Sequence, residues 1–260
     1  MTKRRLDVFL VDTGLFPSRK KAQEAIESKL VKVDGKIVLK SSFYITGNEK
    51  IETDFPESMK YVSRGGLKLE KALKSFDVSP KDKVILDAGA STGGFTDCLL
   101  KKGAAKIWAV DVGEGQLHET LKDNSKIISI EKFNIKDLKL KDLDNISPDL
   151  IVADLSFISL AHVLEVFSEL LAPDGLIITL IKPQFEAGQE HISKGGIVKD
   201  RAIHKKVIQN LSKIAHKYKL YLNKLDSAPV YDSFKNVEYL GLFSHTETAL
   251  PDINKVVNSA

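Results

Sequence analysis

Two acids and a run of small residues carry the first chemical signal. Asp87 follows the apolar run Val84, Ile85, Leu86, and Ala88, Gly89, Ala90 and Ser91 come directly after it. Gly93 and Gly94 then open a helical pattern through Phe95, Cys98 and Leu99. Small residues let a backbone approach a ligand closely, and glycine reaches dihedrals closed to other residues. About twenty residues later a second apolar run, Lys106 to Val110, ends in Asp111, where an acid can accept hydrogen bonds from ribose hydroxyls. Farther on, Asp154 ends DLIVAD, Lys182 ends LIITLIK, and Glu238 lies within NVEYLGLF. Lysines and carboxylates brought together at strand ends could move or steer a proton. A structural salt bridge between Asp154 and Lys182 is the plainer alternative.

These residues need strands to carry them. From Val84 onward, apolar runs at 83–87, 106–111, 126–130, 149–153, 175–181, 219–225 and 237–243 read as strands. Helical patterns lie between them, notably at 94–102, 158–171 and 201–217. This alternation predicts an α/β fold with a parallel sheet covered on both faces. Asp87, Asp111, Asp154 and Lys182 then gather at the carboxyl edge, where open α/β sheets bind ligands. Ahead of this region, Arg64-Gly65-Gly66 leads a helix whose buried stripe is Leu69, Ala72, Leu73 and Phe76. Lys68 sits beside that stripe. Residues 186–200 are polar and glycine-bearing, either a substrate lid or an ordinary surface loop.

Charge separates the first fifth of the chain from the rest. Residues 1–50 hold 11 Lys/Arg against 6 Asp/Glu, leaving 28 against 29 for the remainder. Such asymmetry points to a polyanion-binding part. Leu6, Phe9 and Leu10 make a short helix ended by Gly14 and a turn at Pro17. Ser18 can cap a second helix with Ala22, Ala25 and Ile26 on one face. Arg19, Lys20 and Lys21 fill its first turn, the wrong sign for the helix dipole, and a bound phosphate backbone would offset that cost. VKVDGKIV is a hairpin signal around Asp34-Gly35. Short strands follow at Phe43–Ile45 and Lys50–Glu52. Residues 54–63, DFPESMKYVS, read as a linker.

The 43% hydrophobic content over 260 residues supports a substantial core. No apolar run approaches the roughly 20 residues of a membrane span, and MTKRRLDVFL lacks the apolar stretch of a signal peptide. A single cysteine, Cys98, excludes a disulfide framework and fits a reducing compartment. His118, His162, His191, His204, His216 and His245 are scattered, with no ligand spacing, so no metal site is expected.

The glycine spacing is not G-x-G-x-x-G, because Ser91 stands at the second glycine position. The loop resembles that of class I S-adenosylmethionine-dependent methyltransferases more than a dinucleotide loop. Residues 3–55 resemble the S-four-type RNA-binding module, through Arg5, Asp7, Leu10, Ser18, Arg19, Ala22, Ile26, Val31, Val33, Asp34-Gly35 and Lys40. Over nearly its whole length the chain resembles the TlyA family, which joins such a module to an FtsJ-type ribose 2′-O-methyltransferase. YVSRGGLKL, DAGASTGGFTDCLL, AVDVGEGQLH, VADLSFISL, LIKPQFEAG and KGGIVKD carry that resemblance.

The resemblance implies a small α+β RNA-binding domain at 1–58, a linker at 59–63 and a Rossmann-like methyltransferase domain at 64–260. It implies a catalytic Lys-Asp-Lys-Glu set at Lys68, Asp154, Lys182 and Glu238. A lysine takes a proton only when neutral, a state favoured by burial and a nearby like charge and opposed by carboxylates. Lys182 is therefore the expected base or hydroxyl-steering group, oriented by Asp154, with Lys68 and Glu238 completing the set. S-adenosylmethionine is the implied cofactor, held by Asp87, Gly89, Ser91, Thr92, Gly93, Gly94, Phe95, Asp111, Gln116, Leu117, Asn134 and Asp154. RNA is expected at Arg4, Arg5, Arg19, Lys20, Lys21, Lys40 and Arg64. The expected activity is methylation of ribose 2′-hydroxyls, at cytidine, in ribosomal RNA or ribosomal subunits, by a cytoplasmic monomer without metal or membrane. The family has also been called haemolysin, so a membrane-active protein is one competing reading. An RNA-binding scaffold with an inactive methyltransferase fold is another.

Overall fold

The computed structural model describes residues 3–16, 18–53, 60–230 and 236–260. The turn expected at Pro17 and residues 54–59 of the stretch read as linker lie outside the described residues. The chain divides into two compact units, Met1–Leu67 and Lys68–Ala260.

In the first unit, β1 (Arg4–Arg5) leads into α1 (Leu6–Asp12) and α2 (Arg19–Glu27). The Ser18 hydroxyl accepts a hydrogen bond from the Lys21 amide and caps α2. β2 (Val31–Val33) and β3 (Lys36–Ile37) form the hairpin, with Asp34 and Gly35 both at positive φ, as a type I′ turn requires. β4 (Tyr44–Ile45) pairs antiparallel with β1, and β5 (Ile51–Thr53) pairs antiparallel with β2. Leu6, Leu10, Ala22, Ala25, Ile26, Val31 and Ile45 meet in one small core.

Helix α3 (Gly65–Phe76) crosses the division between the units. The second unit continues with β6 (Val84–Ala88), α4 (Gly94–Lys101), β7 (Lys106–Val110), α5 (Glu119–Lys122) and β8 (Ile127–Ile130). Then come β9 (Leu150–Ala153), α6 (Leu164–Leu170), β10 (Leu176–Ile181), α7 (Pro183–Glu186) and α8 (Arg201–Lys217). It ends with β11 (Tyr221–Ser227), β12 (Tyr239–Ser244) and α9 (Ile253–Ser259).

Seven strands form one sheet in the order β11-β12-β10-β9-β6-β7-β8. Strands β8, β7, β6, β9 and β10 are parallel, with α4 between β6 and β7, α5 between β7 and β8, and α6 between β9 and β10. β12 differs from the expected all-parallel arrangement, lying antiparallel between β10 and β11. The described part of the β11–β12 connection contains no helix, and a parallel pairing needs a long crossover. The helix expected at 158–171 is also divided. A 3-10 turn at Leu160–His162, capped by Ser159, precedes α6.

Candidate active site

The strand order reverses between β6 and β9, and a cavity of about 510 Å³ opens at the carboxyl ends of the strands around that point. This is where doubly wound sheets take their ligands, and the volume suits a small organic molecule. Gly89 follows β6, Asp111 follows β7 and Asp154 follows β9, and all three line the cavity. Gly89 has φ +82°, and a Cβ there would lie 3.0 Å from the Asp154 carbonyl oxygen, so glycine alone lets the two strand ends come together.

Of the expected cofactor residues, Gly89, Ser91, Asp111, Gln116, Asn134 and Asp154 share this lining. Asp111 accepts hydrogen bonds from the Ser91 amide at 2.8 Å and the Gly113 amide at 2.7 Å, so its carboxylate ties two loops together at the rim. Ser91 Oγ donates to Gln116 Oε1 at 3.2 Å. Asn134 caps a 3-10 turn at Ile135–Asp137 by accepting from the Lys136 amide. Asp87, Thr92, Gly93, Gly94, Phe95 and Leu117 are not among the residues that line it, and Thr92 is exposed. Gly93 at φ +89° packs against Leu117 and Leu121, where a Cβ would come within 2.7 Å of both. The Thr92 carbonyl accepts from the His118 amide. Gly94 and Phe95 are buried in the first turn of α4. Asp87 is fully buried inside β6, accepts from Thr96 Oγ1 at 2.6 Å, and is pushed up to about 7 by desolvation.

Val110, Val112, Phe133, Ile135, Leu155, Ser156, Phe157 and Ile158 also line the cavity, although the sequence reading did not select them. The loop 154–159 carries four of these residues. Ser159 Oγ and the Leu160 amide both donate to Glu186, whose carboxyl is raised by burial, and this pins the loop to α7. Apolar walls with carboxylate, amide and hydroxyl groups at the rim fit a cofactor that has a flat ring, ribose hydroxyls and a charged tail.

The four expected catalytic residues form two ion pairs. Lys182 Nζ lies 2.6 Å from Asp154 Oδ1 and donates to Ser156 Oγ at 3.0 Å. Lys68 Nζ donates to Glu238 Oε2 at 2.5 Å. The Lys182 side chain is 8% exposed, and Lys68 and Glu238 are 20% and 17% exposed. The sheet register carries both pairs to one sheet edge: Ile181 of β10 opposes Tyr239 of β12, Lys182 directly follows the one and Glu238 directly precedes the other. Among the described residues, no three His, Cys, Asp or Glu side chains converge at metal-ligand spacing. His204 is buried, its ring bonded to the Tyr239 hydroxyl and the Val198 carbonyl, and burial lowers its pKa.

The expected RNA-binding residues Arg4, Arg5, Arg19, Lys20, Lys21 and Lys40 all belong to the first unit. Arg4 pairs with Asp12, Lys21 pairs with Glu24, and Lys20 and Lys40 are exposed. Arg64 is exposed just before α3.

A seven-stranded sheet with this order, one antiparallel strand and a cavity at its switch point defines a class I methyltransferase fold. The FtsJ-like methyltransferase profile matches residues 61–237, and the S4 domain profile matches residues 4–51. The chain belongs to the FtsJ-like methyltransferase family, in its TlyA group, where an S4 domain precedes the methyltransferase. It is 42% identical over 240 residues to Hemolysin A of Brachyspira hyodysenteriae, covering 92% of this chain and 99% of that one. It is 36% identical over 249 residues to the 16S/23S rRNA (cytidine-2′-O)-methyltransferase TlyA of Mycobacterium tuberculosis, covering 95% and 92%. A solved structure from Streptococcus thermophilus matches with TM-score 0.74 at 37% identity, covering 100% of this chain and 96% of that chain.

Proposed function

We propose that the protein transfers a methyl group from S-adenosylmethionine to a ribose 2′-hydroxyl of ribosomal RNA, at cytidine. The observation that carries this reading is the pairing of Lys182 with Asp154 and of Lys68 with Glu238 at neighbouring strand ends, with Asp154 on the cavity wall. S-adenosylmethionine supplies an electrophilic sulfonium methyl when bound. Asp111, Gln116, Asn134 and the 89–94 loop are the residues that would hold it. A ribose hydroxyl is a weak nucleophile, so the work left to the protein is in-line placement and proton removal. Lys182 Nζ holds that hydroxyl and steers or takes its proton. Asp154 and Ser156 fix where Nζ points, while Glu238 and Lys68 set the charge beside it.

The activity divides between an RNA-binding domain at 1–58, a linker at 59–63 and the methyltransferase domain at 64–260, acting as a monomer without metal. Ribosomal RNA as substrate places the protein in the cytoplasm. The name of the Brachyspira relative supports a lytic alternative; among the described residues no helix is long and apolar enough to cross a membrane. Mapping ribose methylation on ribosomal RNA incubated with the protein and cofactor tests the reading. A new methylated cytidine is expected, and its absence, together with lysis of liposomes without cofactor, would reverse the choice.

A further inference from the structure

Tyr44 and Arg5 oppose each other across the β1–β4 ladder. Side chains so opposed project from one face, with Cβ atoms about 5 Å apart. Tyr44 is 59% exposed. The Arg5 guanidinium is held in place, since Nε donates to Asp7 Oδ1 and Nη2 to Oδ2, both at 3.0 Å. Arg19 Nη2 donates to the same Oδ2 at 3.3 Å, and Gln23 Nε2 donates to it at 2.7 Å. Asp7 is fully buried, and these donors, Arg5 first, hold its carboxyl well below the usual range. One buried carboxylate therefore orients two guanidiniums and leaves a net positive charge beside a bare aromatic ring. The Arg5 and Arg19 side chains remain 38% and 57% exposed.

Resting on the RNA reading above, we propose that Tyr44, Arg5 and Arg19 bind one unpaired RNA nucleotide, with Asp7 as their positioning residue. The Tyr44 ring takes the base and the guanidiniums take its phosphate. Guanidinium forks match phosphate oxygens, and aromatic rings stack any exposed base. Regular duplex offers phosphates but keeps its bases inside, so it engages only the arginines.

The test uses the full chain with an RNA hairpin carrying 2-aminopurine in its loop, and a blunt duplex with the same number of phosphates. Tyr44→Ala is expected to weaken hairpin binding about tenfold, the scale of one lost stacking contact, while duplex affinity stays as in wild type. Binding should quench 2-aminopurine in wild type and Tyr44→Phe, but not in saturated Tyr44→Ala. Arg19→Gln should lower the salt slope by about one phosphate contact on both RNAs. Wild-type hairpin affinity and quenching in Tyr44→Ala would overturn the proposal while leaving the RNA reading intact. No salt-dependent binding of either RNA by the wild-type chain would overturn both.

Discussion

Lys182 directly follows Ile181 and Glu238 directly precedes Tyr239, the last pair of the ladder that joins β10 to β12. Each has its own partner of opposite charge, Asp154 for Lys182 and Lys68 for Glu238. β10 is parallel to β9 on one side and antiparallel to β12 on the other. The reversed strand is therefore what brings Glu238, from late in the chain, to the edge that already holds Asp154 and Lys182. An all-parallel sheet would have placed the start of that strand at the opposite edge.

The Lys68–Glu238 pair is mostly buried, so removing one partner leaves a charge without compensation, worth roughly 3–5 kcal/mol in a fully buried pair. Glu238→Gln is expected to lower kcat at least tenfold and leave cofactor affinity unchanged. Lys68→Met should do the same, and the double variant should fall no further than either single one, as residues acting as a unit do. Single-turnover rates and calorimetry check this. Additive losses would mean that the two residues act separately.

Asp111 is tied to two backbone amides at the rim of the cavity. Asp111→Ala removes both bonds and the acceptor proposed for the cofactor's ribose. A lost hydrogen bond to a charged group costs roughly 1.5–3 kcal/mol, so cofactor affinity should drop at least tenfold by calorimetry while the folded far-ultraviolet spectrum persists. Unchanged affinity in the folded variant would remove Asp111 from the site.

Burial pushes the Asp87 carboxyl up to about 7, above the ordinary carboxyl value, so this residue is expected to make stability depend on pH. Below about pH 4 both states are protonated. As pH rises from there toward 7 the unfolded chain releases this proton first, so stability falls across that window. Asp87→Asn keeps an acceptor for Thr96 and cannot ionise. Urea unfolding should show the variant gaining on wild type by a few kcal/mol between pH 4.5 and 8. A constant difference would mean that Asp87 ionises in the folded state as readily as in the unfolded one.

The sequence was most legible where periodicity and turn chemistry agree. Ser18 caps α2, Asp34-Gly35 turns the hairpin, and α8 runs over the expected 201–217. Asp111, Asp154 and Lys182 were readable because each directly follows an apolar strand. Asp87 was harder: in a strand buried on both faces, the sequence does not say which way a side chain points, and Asp87 turns toward Thr96 rather than the cavity lining. Ser156 and Phe157 sit in a loop without periodicity, and the Ser156–Lys182 contact spans 26 residues. The reversal of β12 had one faint signal, the absence of a helical pattern before Glu238.

Lys182 is proposed to serve the transfer step itself, and the single-turnover rate of ribose methylation by Lys182 variants tests that role. Lys182→Ala should lower kcat at least a hundredfold, the scale of a lost acid–base group, with cofactor and RNA binding nearly intact. Lys182→Arg should not restore the rate, because a guanidinium stays protonated and cannot take the hydroxyl's proton. An arginine variant with most of the activity would contradict proton transfer to Lys182 and leave it a purely electrostatic part. An alanine variant with most of the activity would contradict any part for Lys182 in the transfer and reduce it to the structural partner of Asp154.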